Sequence, residues 1–194
     1  MTTAQTTAIH FGLIGFLVIW PVVAVTQLVL RQKRHVPAGA VVTLYATLAL
    51  AVVFLPLPGP GAHRLRQTIQ LMPFQWVLDF AGGDVKALEQ VVLNTLLFVP
   101  LGVLAIVVWR RSFQETVMVG FAVSLVVEIT QLSGNFGTAP FVYRIFDVDD
   151  LMANTLGAAL GWIAAVTVAG AIARVRVAEP MRAPSPLRDR AFQG

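Results

Sequence analysis

Cysteine is absent from this 194-residue chain, which excludes disulfides, thiolate catalysis and thiolate metal sites. Charge is scarce: Asp, Glu, Lys and Arg make up 12% of the residues, against about 25% in an ordinary soluble domain. Histidine occurs three times, at His10, His35 and His63, and no two of them fall in a ligand spacing. His35 reads as a cation at a membrane edge. The first eight residues, Met1 to Ala8, carry no basic side chain. The apolar run that follows, Ile9–Leu30, is longer than the about 7–15 residues of a signal-peptide core, so it reads as a retained first span. No lipidation motif is visible.

What is present is hydrophobic. Apolar residues make up 57% of the chain, which puts it in the membrane class. The length suits one compact bundle without a separate soluble domain. The net charge of +4 comes from short basic runs between apolar segments. That is a topology signal and excludes a nucleic-acid patch.

Five segments approach the about 20 residues that a spanning helix needs: Ile9–Leu30, Ala38–Leu57, Gln90–Trp109, Phe113–Leu132 and Asp150–Ala173. The expected fold is therefore an all-α polytopic membrane bundle, with residues 1–174 as the transmembrane domain. Residues 175–194, rich in Pro and Arg, read as a flexible cytoplasmic tail within reach of anionic lipid headgroups. Ten of the fourteen Lys and Arg residues follow spans one, three and five. The positive-inside rule then puts the N-terminus outside and the C-terminus in the cytoplasm. Seven of the ten acids lie on or near the opposite, outer face.

In the outer loop, Pro56-Leu57-Pro58-Gly59-Pro60-Gly61 stops the second helix. Beyond it, Ile69 to Phe80 is apolar and aromatic but too short to span, which suits an interfacial or re-entrant segment anchored by Trp76.

The chemistry-bearing residues gather in the last three spans. Ionisable groups at membrane depth are costly and usually face a protein interior or a wet cavity. Asp147, Asp150, Asn154, Gly157 and Gly161 recur at spacings of three, four, three and four, one stripe of a helix. Gly157-xxx-Gly161 allows a close helix approach, and Asp147 suits an N-cap. Glu128 and Gln131 share a face of span four, and burial there penalises the Glu128 charge unless Arg144 or a cation compensates. Span three offers Asn94 at similar depth, then Pro100, which kinks the helix and frees a carbonyl, and Gly102. Asn94, Glu128, Gln131, Arg144, Asp147, Asp150 and Asn154 are thus expected to share one outward-facing polar pocket.

With Asn94-Thr95-Leu96-Leu97-Phe98-Val99-Pro100-Leu101-Gly102, Glu128-xx-Gln131 and Arg144-xx-Asp147-xx-Asp150-xxx-Asn154-xx-Gly157-xxx-Gly161, the chain resembles the VanZ-like family of bacterial integral membrane proteins. Leu71-Met72-Pro73-Phe74 also fits, although Gln70 stands where the family commonly has Asn. The resemblance covers residues 41–166. It implies a small multi-pass protein of the bacterial cytoplasmic membrane whose namesake is associated with teicoplanin resistance.

Four functions compete on these residues. The first is an envelope protein binding membrane lipids, a lipid-linked cell-wall precursor or a lipoglycopeptide, with Arg144, Arg64 or Arg66 on a phosphate or carboxylate. The second is an outer-leaflet enzyme on a lipid headgroup, with Glu128 as general base and Asp147 and Asp150 holding Mg²⁺ or Ca²⁺. The third is a transporter in which Glu128 titrates; Asn94-Thr95-Leu96 and Asn154-Thr155-Leu156 echo each other across its spans. The fourth is helix packing alone.

Overall fold

The computed structural model describes residues 3–55, 57–58, 65 and 67–178. Arg64, Arg66 and His63, most of the Pro-Gly run, and the tail beyond residue 178 lie outside the described residues. Six α-helices and one two-stranded pairing appear in the order α1 (Thr3–Val29), α2 (Val36–Phe54), β1 (Ile69–Gln70), α3 (Gln75–Ala81), α4 (Val85–Val107), α5 (Phe113–Leu132), β2 (Phe146–Asp147) and α6 (Val148–Ala178). A 3₁₀ turn, Lys33–His35, leads into α2.

Five of these helices are long and apolar enough to cross a membrane, and they match the five expected spans. Their apolar side chains face outward: Leu17 is 69% and Val29 74% exposed. Such faces suit lipid, because a water-soluble helix turns this stripe inward. The described interior carries polar groups beside apolar ones, among them Thr116, Ser124, Glu128 and Asn154.

Several helices outrun their apolar stretches. α1 starts at Thr3 rather than Ile9, and α4 at Val85 rather than Gln90. Asp84 explains the second case, since its carboxylate accepts the Lys86 backbone N–H at 3.0 Å and caps the helix. α2 ends at Phe54, three residues before Leu57. α6 runs on to Ala178, so Arg176, expected at the start of the flexible tail, belongs to a helix. Hydropathy marks the bilayer-compatible part of a helix; hydrogen bonding carries the helix past it. α5 opens with a capping box, Ser112 and Glu115 each bonding the other's backbone N–H.

α6 is the central helix, packed on one side by α4 and on the other by α5, while α1 packs chiefly on α2. Glycine makes the central contact close. A Cβ at Gly157 would overlap the Thr95 carbonyl oxygen, one at Gly161 that of Val99, and one at Gly102 that of Ala158. Ala158, fully buried, also lies against Gly120 of α5. Pro100 does not end α4. The Tyr45 hydroxyl donates to the Leu97 carbonyl at 3.0 Å, next to the Leu96 carbonyl, whose helical N–H partner the proline removes.

Candidate functional site

The stretch expected to be interfacial or re-entrant resolves into β1, a turn through Pro73 and Phe74, and the short helix α3. β1 pairs in parallel with β2, Ile69 opposite Phe146 and Gln70 opposite Asp147. Phe74 takes a left-handed backbone, φ 62°, which costs a non-glycine residue about 1–2 kcal/mol. Asp149 offsets that cost. Its carboxylate accepts the Phe74 N–H at 2.6 Å and the Trp76 N–H at 3.2 Å, so the first turn of α6 caps the first turn of α3. Asp149 is 5% exposed, and its burial is compensated by these two bonds.

Asp147 stands one residue before α6 rather than on its face. Its Oδ1 accepts the Asp149 N–H at 2.9 Å, the N-cap geometry. The stripe read from the spacing therefore begins at Asp150, since a capping side chain folds back on its own helix end. Burial, joined by the nearby charges of Asp149 and Asp79, pushes the Asp147 carboxyl above its ordinary value, and the Asp149 N–H partly opposes this.

Glu128 is 1% exposed. Its Oε2 accepts the Asp147 N–H at 3.0 Å, which ties α5 to the entry of α6. One turn earlier on α5, the Ser124 hydroxyl accepts from Asn154 Nδ2 at 2.8 Å. Asp150 receives the Gln90 amide at 3.1 and 3.2 Å, one on each carboxylate oxygen, with Asn94 as a second amide neighbour.

Arg144 lines the cleft and forms no ion pair among the described residues. Its guanidinium does not pair with Glu128; it reaches the Leu55 carbonyl at 3.5 Å and lies 5.9 Å from the centre of the Tyr143 ring. The end of α2 accounts for this, because the last carbonyls of a helix lack intrahelical partners and attract cations and donors. Gln131 donates to the Val53 carbonyl at 3.2 Å, and Tyr143 and Asn135 donate to that of Phe54 at 3.0 and 3.2 Å. Gln131 and Arg144 thus fasten α2 to the α5–α6 connection.

These elements enclose a cleft of about 1190 Å³. Asn94, Glu128, Gln131, Arg144, Asp147, Asp150 and Asn154 all line it, as do Trp76 and Gln75 of α3. The helix-packing residues Gly102, Gly157 and Gly161 lie along the α4–α6 contact instead. Among the described residues, no group of three or more His, Cys, Asp and Glu side chains is placed to hold a metal ion. The Asp147 and Asp150 carboxylates accept the Asp149 backbone N–H and the Gln90 amide.

Sequence reasoning gave no role to Gln90 and Ser124, and counted Asp149 among the outer-face acids without a partner. Gln90 and Ser124 each precede a chosen residue by one turn, Asn94 and Glu128, so i−4 spacing could have found them. Nothing in the spacing marks Asp149, whose partners are more than seventy residues away.

A family model described as VanZ/LLP1 matches residues 42–169, well over half of the chain. No curated protein and no solved structure matches.

Proposed function

The chain belongs to the VanZ/LLP1 family, and we propose that it is a bacterial cytoplasmic-membrane protein whose polar cleft binds the headgroup of a membrane amphiphile. The candidates are a lipid-linked envelope component and a lipoglycopeptide, the latter suggested by the teicoplanin association of the family's namesake. One observation carries the reading. A cleft of about 1190 Å³ opens among helices whose outer faces are lipid-compatible, yet polar side chains from α3 to α6 line it. That volume exceeds the about 300–1,000 Å³ of common small-ligand pockets and leaves room for a headgroup with the start of its chains. Buried polar groups of this kind are retained at a cost, and a polar ligand at membrane depth is what they fit.

The cleft opens to the cell exterior in this reading. The excess of Lys and Arg after spans one, three and five supports an external N-terminus and a cytoplasmic C-terminus. Phosphate or carboxylate on the ligand would meet Arg144 at the cleft wall.

Binding of labelled lipid and of a lipoglycopeptide to the purified protein in nanodiscs tests the proposal. Saturable binding, weakened by Arg144→Ala and by Asp150→Asn, is expected. Binding that neither substitution changes would remove it.

A further inference from the structure

Resting on the amphiphile reading, we infer that the cleft selects headgroups that carry an ammonium group. Its wall is strongly unbalanced. Glu128, Asp147, Asp149 and Asp150 line it from the α5–α6 side and Asp79, Asp84 and Glu89 from the α3–α4 side; the described cations there are Lys86 and Arg144.

None of the seven carboxylates has a cation within ion-pair distance among the described residues. The ion pair found there joins Arg111 to Glu115, on the α4–α5 connection. Where these acids have partners, the partners are amide N–H groups: of Gln90 on Asp150, of Asp147 on Glu128, of Gln75 on Asp79. Arg144 is turned to the end of α2. The dipoles of α4 and α6 offset part of the charge on Asp84, Asp149 and Asp150. Asp79 and Glu89 lie beyond that help, whereas Glu128 meets the entry of α6 through the Asp147 N–H.

A second observation points the same way. Asn154 is 4% exposed and lines the cleft, one turn from Asp150 along α6. Its Nδ2 is taken by Ser124, while its Oδ1 has no partner. A buried acceptor left unpaired is costly. Among the described residues, the cleft therefore offers its seven carboxylates no ion-pair partner and leaves the buried Asn154 Oδ1 without a donor. An alkylammonium supplies both, with three N–H donors and no acceptor. A phosphate alone brings only acceptors and negative charge to a wall of carboxylates. In a zwitterionic headgroup, the ammonium would sit among Asp150, Glu128 and Asn154, with the phosphate toward Arg144.

The test compares lipids with identical chains on the intact protein in nanodiscs, read by native mass spectrometry: phosphatidylethanolamine, its N-acetylated form and phosphatidylglycerol. Soluble phosphoethanolamine is the competitor. Phosphatidylethanolamine should bind about tenfold or more tighter than the N-acetyl lipid, and Asp150→Asn should erase most of that preference. Glu89→Gln, at an exposed position on the wall, should reduce it without disturbing helix packing; it serves if Asp150→Asn does not fold. Competition by phosphoethanolamine would assign the recognition to the headgroup alone. A preference that survives the competitor would assign it to the anchored lipid, and either result upholds the ammonium requirement. Equal binding of the acetylated lipid, or tighter binding of phosphatidylglycerol, overturns the inference. If Asn94→Ala still weakens all three lipids in that event, the amphiphile reading stands without it. If no cleft substitution affects any lipid, both fall.

Discussion

The Asp147 backbone N–H donates to Glu128 Oε2 at 3.0 Å, joining a buried acid about one turn from the end of one span to the residue that caps the next. The acid thereby holds the approach to α6 in place, whatever else it does in the cleft. Glu128→Ala should cost about 1–3 kcal/mol, because it strands a partly buried donor. Glu128→Gln retains an acceptor and should cost less than half as much. Thermal unfolding of both variants in one detergent measures this, and equal losses would show that the bond does not matter.

The α4–α6 seam makes a sharper prediction. Gly157→Ala and Gly161→Ala each drive a methyl group into a carbonyl oxygen of α4. Overpacking of this kind costs about 1–3 kcal/mol, and here backbone must move to relieve it. Gly170→Ala, where the added carbon meets nothing within 4 Å, should leave the unfolding midpoint unchanged or raise it slightly, since alanine favours helix. A comparable loss at all three positions would argue against the seam.

Asp149 should control α3 more than α6. Asp149→Ala removes the acceptor of two α3 amides. Hydrogen exchange at Phe74 and Trp76 is expected to speed up by about tenfold or more, with little change in the middle of α6. Unchanged protection at those two amides contradicts the trans-capping role.

Acidity gives a signed test at Asp147, which lies just outside the spanning helix. Its carboxyl is raised from the ordinary value of 3.8, chiefly by burial. The folded state therefore holds this proton more tightly than the unfolded chain does. Between the unfolded and folded values the native state binds more protons, so stability falls as pH rises through that window and is highest below it. Asp147→Asn keeps a capping side chain but cannot titrate. On acidification toward pH ~4, the wild type should gain on the variant. A wild-type-minus-variant stability difference that falls or stays constant on acidification would contradict the sign.

The absence of cysteine makes orientation directly measurable. Lys86→Cys, near the cleft, should react with a membrane-impermeant maleimide in intact cells, and Arg176→Cys only after the membrane is opened. The reverse pattern would invert the topology and turn the cleft toward the cytoplasm.

Much of the architecture was legible in the chain, because lipid imposes a simple rule. A helix of about 20 apolar residues satisfies its own backbone and needs no partner to be stable in hydrocarbon. Runs such as Ile9–Leu30 and Phe113–Leu132 announce that without tertiary information. Spacing along α6 likewise put Asp150, Asn154, Gly157 and Gly161 on one face, and the same logic extends to the family assignment. Contacts between elements are different, since they depend on where distant backbone groups end up. The orphan carbonyls at the end of α2 drew Arg144 and Gln131 to them. The left-handed turn at Phe74 needed an acceptor, and α6 supplied Asp149. Which distant side chain met each helix end or bent loop was decided only by folding, because every helix end leaves carbonyls unmet and only docking brings a particular partner to them.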